Sequence, residues 1–257
     1  MSRHIVRGLA LFFLTLAGAR AADAPAGRLE LPGVTADRAI RTVRIEARAC
    51  GVGEGTSTEF YLIAPNSGHN YEAVAVARAK AEDVRRALEF IGVPPGRPVD
   101  GDRLHFWPRG ERINAFVEWT GPSGADTSAA PRRIRLEETI IDKRTEKPSS
   151  GGFTFTGSRF DTVEGRQVFL ADEFEPNSII SAYNLEATVL DIPRRGSQGE
   201  LYDFQAANPE HLFKADTPLT VVLEPASPAG APPRALDLDL VIRPPTDASG
   251  DVPRFTL

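Results

Sequence analysis

The sequence offers a single cysteine, Cys50, in 257 residues, and that scarcity excludes a good deal of chemistry. An intrachain disulfide is impossible. A protein-held iron–sulfur cluster, which takes about four thiolates, and every cysteine-based zinc site are excluded with it. The four histidines show no H-E-x-x-H spacing, and there is no G-x-S-x-G elbow, S-x-x-K, P-loop or G-x-G-x-x-G. A formal net charge of −5 leaves no basic excess to hold nucleic acid or anionic lipid. Long apolar runs are missing too: the stretch Gly8 to Ala17 is about half of the roughly 20 residues a helix needs to cross a bilayer. No cofactor and no transmembrane segment in the mature chain are expected.

That short run has a different meaning. Arg3 and Arg7 precede it and Gly-Ala-Arg-Ala21 follows it, which is the layout of a secretory signal peptide cleaved after Ala21. The mature protein is expected in the periplasm or outside the cell. No cysteine stands directly after the run, so no lipid anchor is expected.

The rest of the chain is patterned mainly at period two. Val43, Ile45, Ala47 and Ala49 alternate with Arg44, Glu46 and Arg48; Ile113, Ala115, Val117 and Trp119 do the same, as do Leu219, Val221 and Leu223, and Leu236, Leu238, Leu240 and Ile242. Phe60 to Ala64 and Ala73 to Ala77 are apolar in both phases, as strands covered on both faces are. Further strands are expected at 167–171 and across 179–192. Only one segment has the helical repeat: Val84, Ala87, Leu88 and Ile91 form a stripe, Gly92 supplies a left-handed cap and Pro94-Pro95 prevents continuation. These patterns predict an α+β protein, mainly antiparallel sheet, with one amphipathic helix over about 81–91 packed on it. The boundaries expected are a signal peptide at 1–21, a lead-in at 22–39, a domain at 40–224 with a split into two lobes near 121–132 left open, and at 225–257 a Pro-rich spacer, terminal strand and loose tail.

The order of these pieces resembles the YdjY-like family of secreted bacterial proteins of unknown function. The resemblance rests on Ala47-Arg-Ala-Cys50, the strand ending Ala64-Pro65-Asn66, His69-Asn-Tyr-Glu72 and Gly92-Val-Pro-Pro-Gly96, then Val168-Phe-Leu-Ala-Asp172, Val189-Leu-Asp-Ile-Pro193 and Phe204-Gln-Ala-Ala-Asn208. It covers about residues 40–224. It implies export and a compact α+β domain, and no chemistry.

His69 and Glu72 are the one neatly spaced pair of catalytic residue types. On a helix they would share a face; the Pro65 to Asn70 turn that holds His69, and the strand that follows, argue instead for a reversal of the chain. A metal-assisted hydrolase using His69, Glu72 and a distant ligand is the catalytic alternative. Cys50 is a nucleophile only if a neighbour lowers its pKa. Binding candidates are Asn66 in the turn, Trp107 beside Phe106, and Asp172 and Glu173 in the acidic stretch Asp172-Glu-Phe-Glu-Pro-Asn-Ser178, whose carboxylates suit calcium. The leading expectation is a non-catalytic extracytoplasmic domain that binds a protein, peptide or carbohydrate partner. A structural part of an envelope assembly is the third reading.

Overall fold

The computed structural model describes residues 27–120 and 131–227. The expected signal peptide, the 121–130 stretch and the expected strand over 236–242 lie outside them. In chain order the strands are β1 (Arg28–Leu31), β2 (Val34–Asp37), β3 (Thr42–Ala49), β4 (Phe60–Ile63), β5 (Ala73–Ala77), β6 (Arg112–Trp119), β7 (Arg132–Arg135), β8 (Ile140–Asp142), β9 (Lys147–Pro148), β10 (Phe153–Phe155), β11 (Phe160–Val163), β12 (Arg166–Phe169), β13 (Ser178–Ser181), β14 (Thr188–Asp191), β15 (Gln205–Ala207) and β16 (Pro218–Pro225). Three α-helices accompany them: α1 (Ala81–Phe90), α2 (Leu170–Glu173) and α3 (Gln198–Leu201).

Eight of these strands close on themselves in the order β3-β16-β6-β10-β14-β13-β4-β5, with β5 returning to pair with β3 through Ala47↔Ala77 and Ala49↔Ala75. The expectation of an α+β protein with a helix laid on an open antiparallel sheet is therefore corrected: the fold is a mainly β protein built around a closed barrel. Closure satisfies the strand edges that an open sheet leaves bare. Two of the eight pairings, β4 with β5 and β13 with β14, are parallel. The single strand expected across 179–192 is in fact such a pair, broken by the turn at residues 182–187.

The ring reads the same when β3, β4, β5 and β6 are exchanged for β10, β13, β14 and β16. Each set has an antiparallel first-to-third pairing, a parallel second-to-third pairing and an antiparallel contact with its counterpart across β4 and β13 and across β6 and β16. This twofold repeat of topology has no counterpart in the sequence.

Alternate residues of β3, β6 and β16 point into the barrel, where Val43, Ile45, Ile113, Val117, Val221 and Leu223 share one core with Phe153, Phe155 and Tyr61. The short α1 touches β2 and β3 on one side and β13 and β14 on the other. Since β3 and β14 lie on opposite sides of the ring, the helix crosses the mouth of the barrel, with Val84, Ala87 and Leu88 turned into the core. Both of its ends are held by distant segments. Asp172 accepts hydrogen bonds from the N–H groups of Ala81 (2.8 Å) and Glu82 (2.9 Å). Arg38 and Arg41 donate to the carbonyls of Phe90 (2.7 Å) and Ile91 (3.3 Å). A carboxylate at the N-terminus and cations at the C-terminus both match the helix dipole.

Candidate functional site

Residues 70–72 form one turn of 3-10 helix between β4 and β5. In that geometry positions i and i+3 eclipse, so His69 Nδ1 meets Glu72 Oε1 at 2.5 Å. An extended chain would have sent the two side chains apart; the turn brings them together. The other ring nitrogen, Nε2, lies 3.0 Å from Glu175 Oε2, and the ring packs between Phe60 and Tyr71. Burial of the ring opposes its charge, but the two carboxylates outweigh that effect and raise the His69 pKa above its ordinary value. When protonated, the imidazolium donates to a carboxylate on each side.

The same seam gathers other expected residues in structural roles. Asn66 donates to the Asp172 carbonyl (3.1 Å) and Ser67 to the Pro176 carbonyl (2.7 Å), so the 65–69 turn is stitched to the 172–177 turn. Both Asp172 carboxylate oxygens cap α1, and Glu173 pairs with Arg166 at the surface. Among the described residues no group of three or more His, Cys, Asp or Glu side chains is arranged to hold a metal ion. His105 lies elsewhere, beside Arg97 (3.1 Å), and His211 beside Glu138 (3.5 Å). Neither joins His69. Burial pushes the Cys50 thiol up to about 11 despite nearby Arg48, which leaves almost no thiolate at neutral pH.

Sequence reasoning missed Glu59 and Gln198. Glu59 is buried next to Glu72, its N–H donating to the Glu72 carbonyl (2.8 Å), and its carboxylate accepts from Gln198 Nε2 (2.9 Å). Burial raises its pKa. A polar residue directly before an all-apolar strand was the available signal.

His69 joins two turns, so it is expected to add stability that depends on pH. With its folded pKa raised, that contribution is complete below the unfolded value of 6.5 and is lost as pH rises through the folded value. Urea denaturation of wild type and His69→Gln should show a gap of about 1 kcal/mol near pH 6, the size of a charge-assisted bond in a partly exposed site, shrinking toward pH 9. A gap that does not change with pH would show that the bracket is electrostatically idle.

Trp107 stands apart from this seam. Residues 97–109 fold back as a hairpin, closed by reciprocal backbone hydrogen bonds between Arg97 and Arg109 (2.7 and 2.8 Å) and between Asp100 and His105 (both 2.8 Å). Asp100 ties it to the body through Arg159 (2.8 Å). At the base, Gly96 and Gly110 lie so close to the backbones of Arg109 and Phe155 that a Cβ on either would overlap a carbonyl oxygen. On this anchored frame Leu104 is 73 %, Phe106 47 % and Trp107 58 % exposed, with the two aromatic rings edge to face at 6.3 Å.

With the geometry in place, comparison with known proteins gives one match. The family model of the YdjY domain covers residues 34–223, from the first residue of β2 into β16, the whole circuit of the barrel. The chain belongs to the YdjY domain family. No curated protein and no solved structure matches it. The YdjY domain here is thus a closed barrel whose mouth is covered by α1, and no helix among the described residues is long and apolar enough to cross a membrane.

Proposed function

We propose that this YdjY domain is a non-catalytic, exported binding module, and that the 97–109 hairpin is where it meets a protein partner. The observation that carries the reading is the solvent exposure of Leu104, Phe106 and Trp107 on a hairpin whose backbone is fixed at four points. Soluble domains seldom display two adjacent aromatics and a leucine without a use for them. A rigid frame limits the ordering entropy lost on binding. The edge-to-face rings make a wedge rather than a flat platform, which favours a protein surface over a sugar ring. Export rests on the residues before Ala21.

A photo-crosslinking residue placed at 107, with one at exposed Tyr71 as control, tests this in the producing cell. A discrete protein adduct is expected at 107 alone. Adding Phe106→Ala should weaken capture of that partner about 30-fold, the equivalent of about 2 kcal/mol, while moving stability by no more than about 0.5 kcal/mol. Identical patterns at 107 and 71, or adducts only to glycan, would overturn the protein-partner reading.

A further inference from the structure

A second concavity lies away from the hairpin. The 136–139 turn of 3-10 helix, the 146–151 segment around β9 and the 209–211 turn enclose a groove of about 970 Å³, within the size range of small-ligand sites, roughly 300–1,000 Å³. Asn208 ties two of its walls together, donating to the Glu138 carbonyl (2.7 Å) while its own carbonyl oxygen accepts from the Glu210 N–H (3.0 Å). Its charge is one-sided. Glu137, Glu138, Glu146 and Glu210 line it against Arg135 and His211. Arg135 is already engaged, by Glu137 Oε1 at 3.0 Å and Asn114 Oδ1 at 3.1 Å.

The floor of the groove carries the decisive feature. Glu137 is only 2 % exposed. Its Oε1 accepts from Arg135 and from the Gly152 N–H (3.0 Å), yet its Oε2 has no hydrogen-bond partner. Behind it the fully buried Tyr61 hydroxyl interacts with Ser149 from within the barrel core, and Ser149 Oγ accepts from Arg194 (3.3 Å), so neither of these hydroxyls is left for a ligand. A buried acceptor left unmade costs about 1–3 kcal/mol, and more for a charged group. A buried carboxylate oxygen without a partner in the wall of an acidic groove requires an explanation.

We propose that this groove binds a cationic nitrogen group, an ammonium of the kind carried by a lysine side chain or a free amine. An ammonium has three donors and no acceptor, which suits the unpartnered Glu137 Oε2 and a lining that carries three further carboxylates, Glu138, Glu146 and Glu210. An anion would face four carboxylates. A metal ion would need a ligand set that the described residues do not form. Ile141, Pro148 and Pro209 on the walls provide apolar surface for the methylene stem that carries such a group.

Calorimetric titration of the intact protein with 1,5-diaminopentane and with an acetyl-Gly-Lys-Gly-amide peptide tests the proposal, using the Nε-acetylated peptide as control. Saturable binding of at least one amine is expected, weakened by salt, with no binding of the acetylated control. Glu137→Gln should weaken it at least tenfold. Because that substitution also disturbs the Arg135 pair, a Glu138→Gln, Glu146→Gln double variant is measured alongside and is expected to weaken binding several-fold with the fold intact. Preference for the peptide assigns the group to a protein chain; equal binding assigns it to a small amine. The proposal fails if neither amine binds at 10-fold protein excess or at any concentration up to about 10 mM, where free energies fall below those of specific sites. It also fails if the acetylated control binds equally, or if the folded variants bind as wild type does. In those cases ordered water satisfies Glu137 Oε2. Trp107→Ala, which tests the hairpin, is expected to leave this titration unchanged.

Discussion

Leu88→Ala is expected to cost about 3 kcal/mol of folding stability, in the range of large-to-small substitutions at buried sites that cannot collapse around the lost atoms. Leu88 is fully buried in the same core as the barrel strands, and α1 spans strands on opposite sides of the ring. A helix lying on a flexible sheet edge could settle into the void. One held at the N-terminus by Asp172 and at the C-terminus by Arg38 and Arg41 has no freedom to do so. Urea denaturation gives the value directly, and Arg86→Ala on the exposed side of the same helix serves as control with a change within about 0.5 kcal/mol. A Leu88→Ala loss under about 1 kcal/mol would show that the helix is not seated in the mouth of the barrel.

Asp191→Asn is expected to reshape the dependence of stability on pH. Asp191 is fully buried in β14 and accepts hydrogen bonds from Asn184 Nδ2 (3.0 Å) and the Leu185 N–H (3.3 Å), all neutral donors. Burial pushes its carboxyl from 3.8 up to about 7, against the pull of those donors. Between those values the unfolded chain has released the proton and the folded protein still holds it, so stability falls as pH rises across that window and is level above it. The whole loss is on the order of 4 kcal/mol. Asparagine has no proton to release. The stability of Asp191→Asn relative to wild type should therefore climb by about that amount from pH 4 to pH 8, as read from denaturation curves at both ends. Parallel curves would mean that Asp191 is ionised in the folded protein throughout.

These two residues also show what the sequence could disclose. Strand β3 alternates buried and exposed along its eight residues, and β6 and the first half of β16 follow the same period, so period two is plain there. The apolar repeat through Val84, Ala87 and Leu88 located a helix but not what it covers, since a barrel mouth and a sheet face ask for the same stripe. Ring closure was illegible because β4, β13 and β14 are four residues long and buried on both sides, so no alternation marks their direction or register. Ser178, Thr188 and Asp191 place polar atoms in buried strands, where Ser178 and Thr188 pair across β13 and β14 and Asp191 draws its donors from the 184–185 turn. Likewise His69 and Glu72 met only because 70–72 tightened into a 3-10 turn, a difference of one hydrogen bond from the extended reading. One clue was available and unused: Lys80 at the start of α1 cannot cap it, so a capping carboxylate had to arrive from elsewhere, and Asp172 does so.

Strand β16 pairs with β3 on one side and β6 on the other, Val221 facing Ile45 and Val117 in the two registers. It is the last of the eight to leave the ribosome. Until it emerges, the chain already made carries two unsatisfied ladders and an apolar interior with a gap down its wall. The ring therefore cannot close until β16 joins it, which makes any product shortened before Pro218 a ready template for self-association.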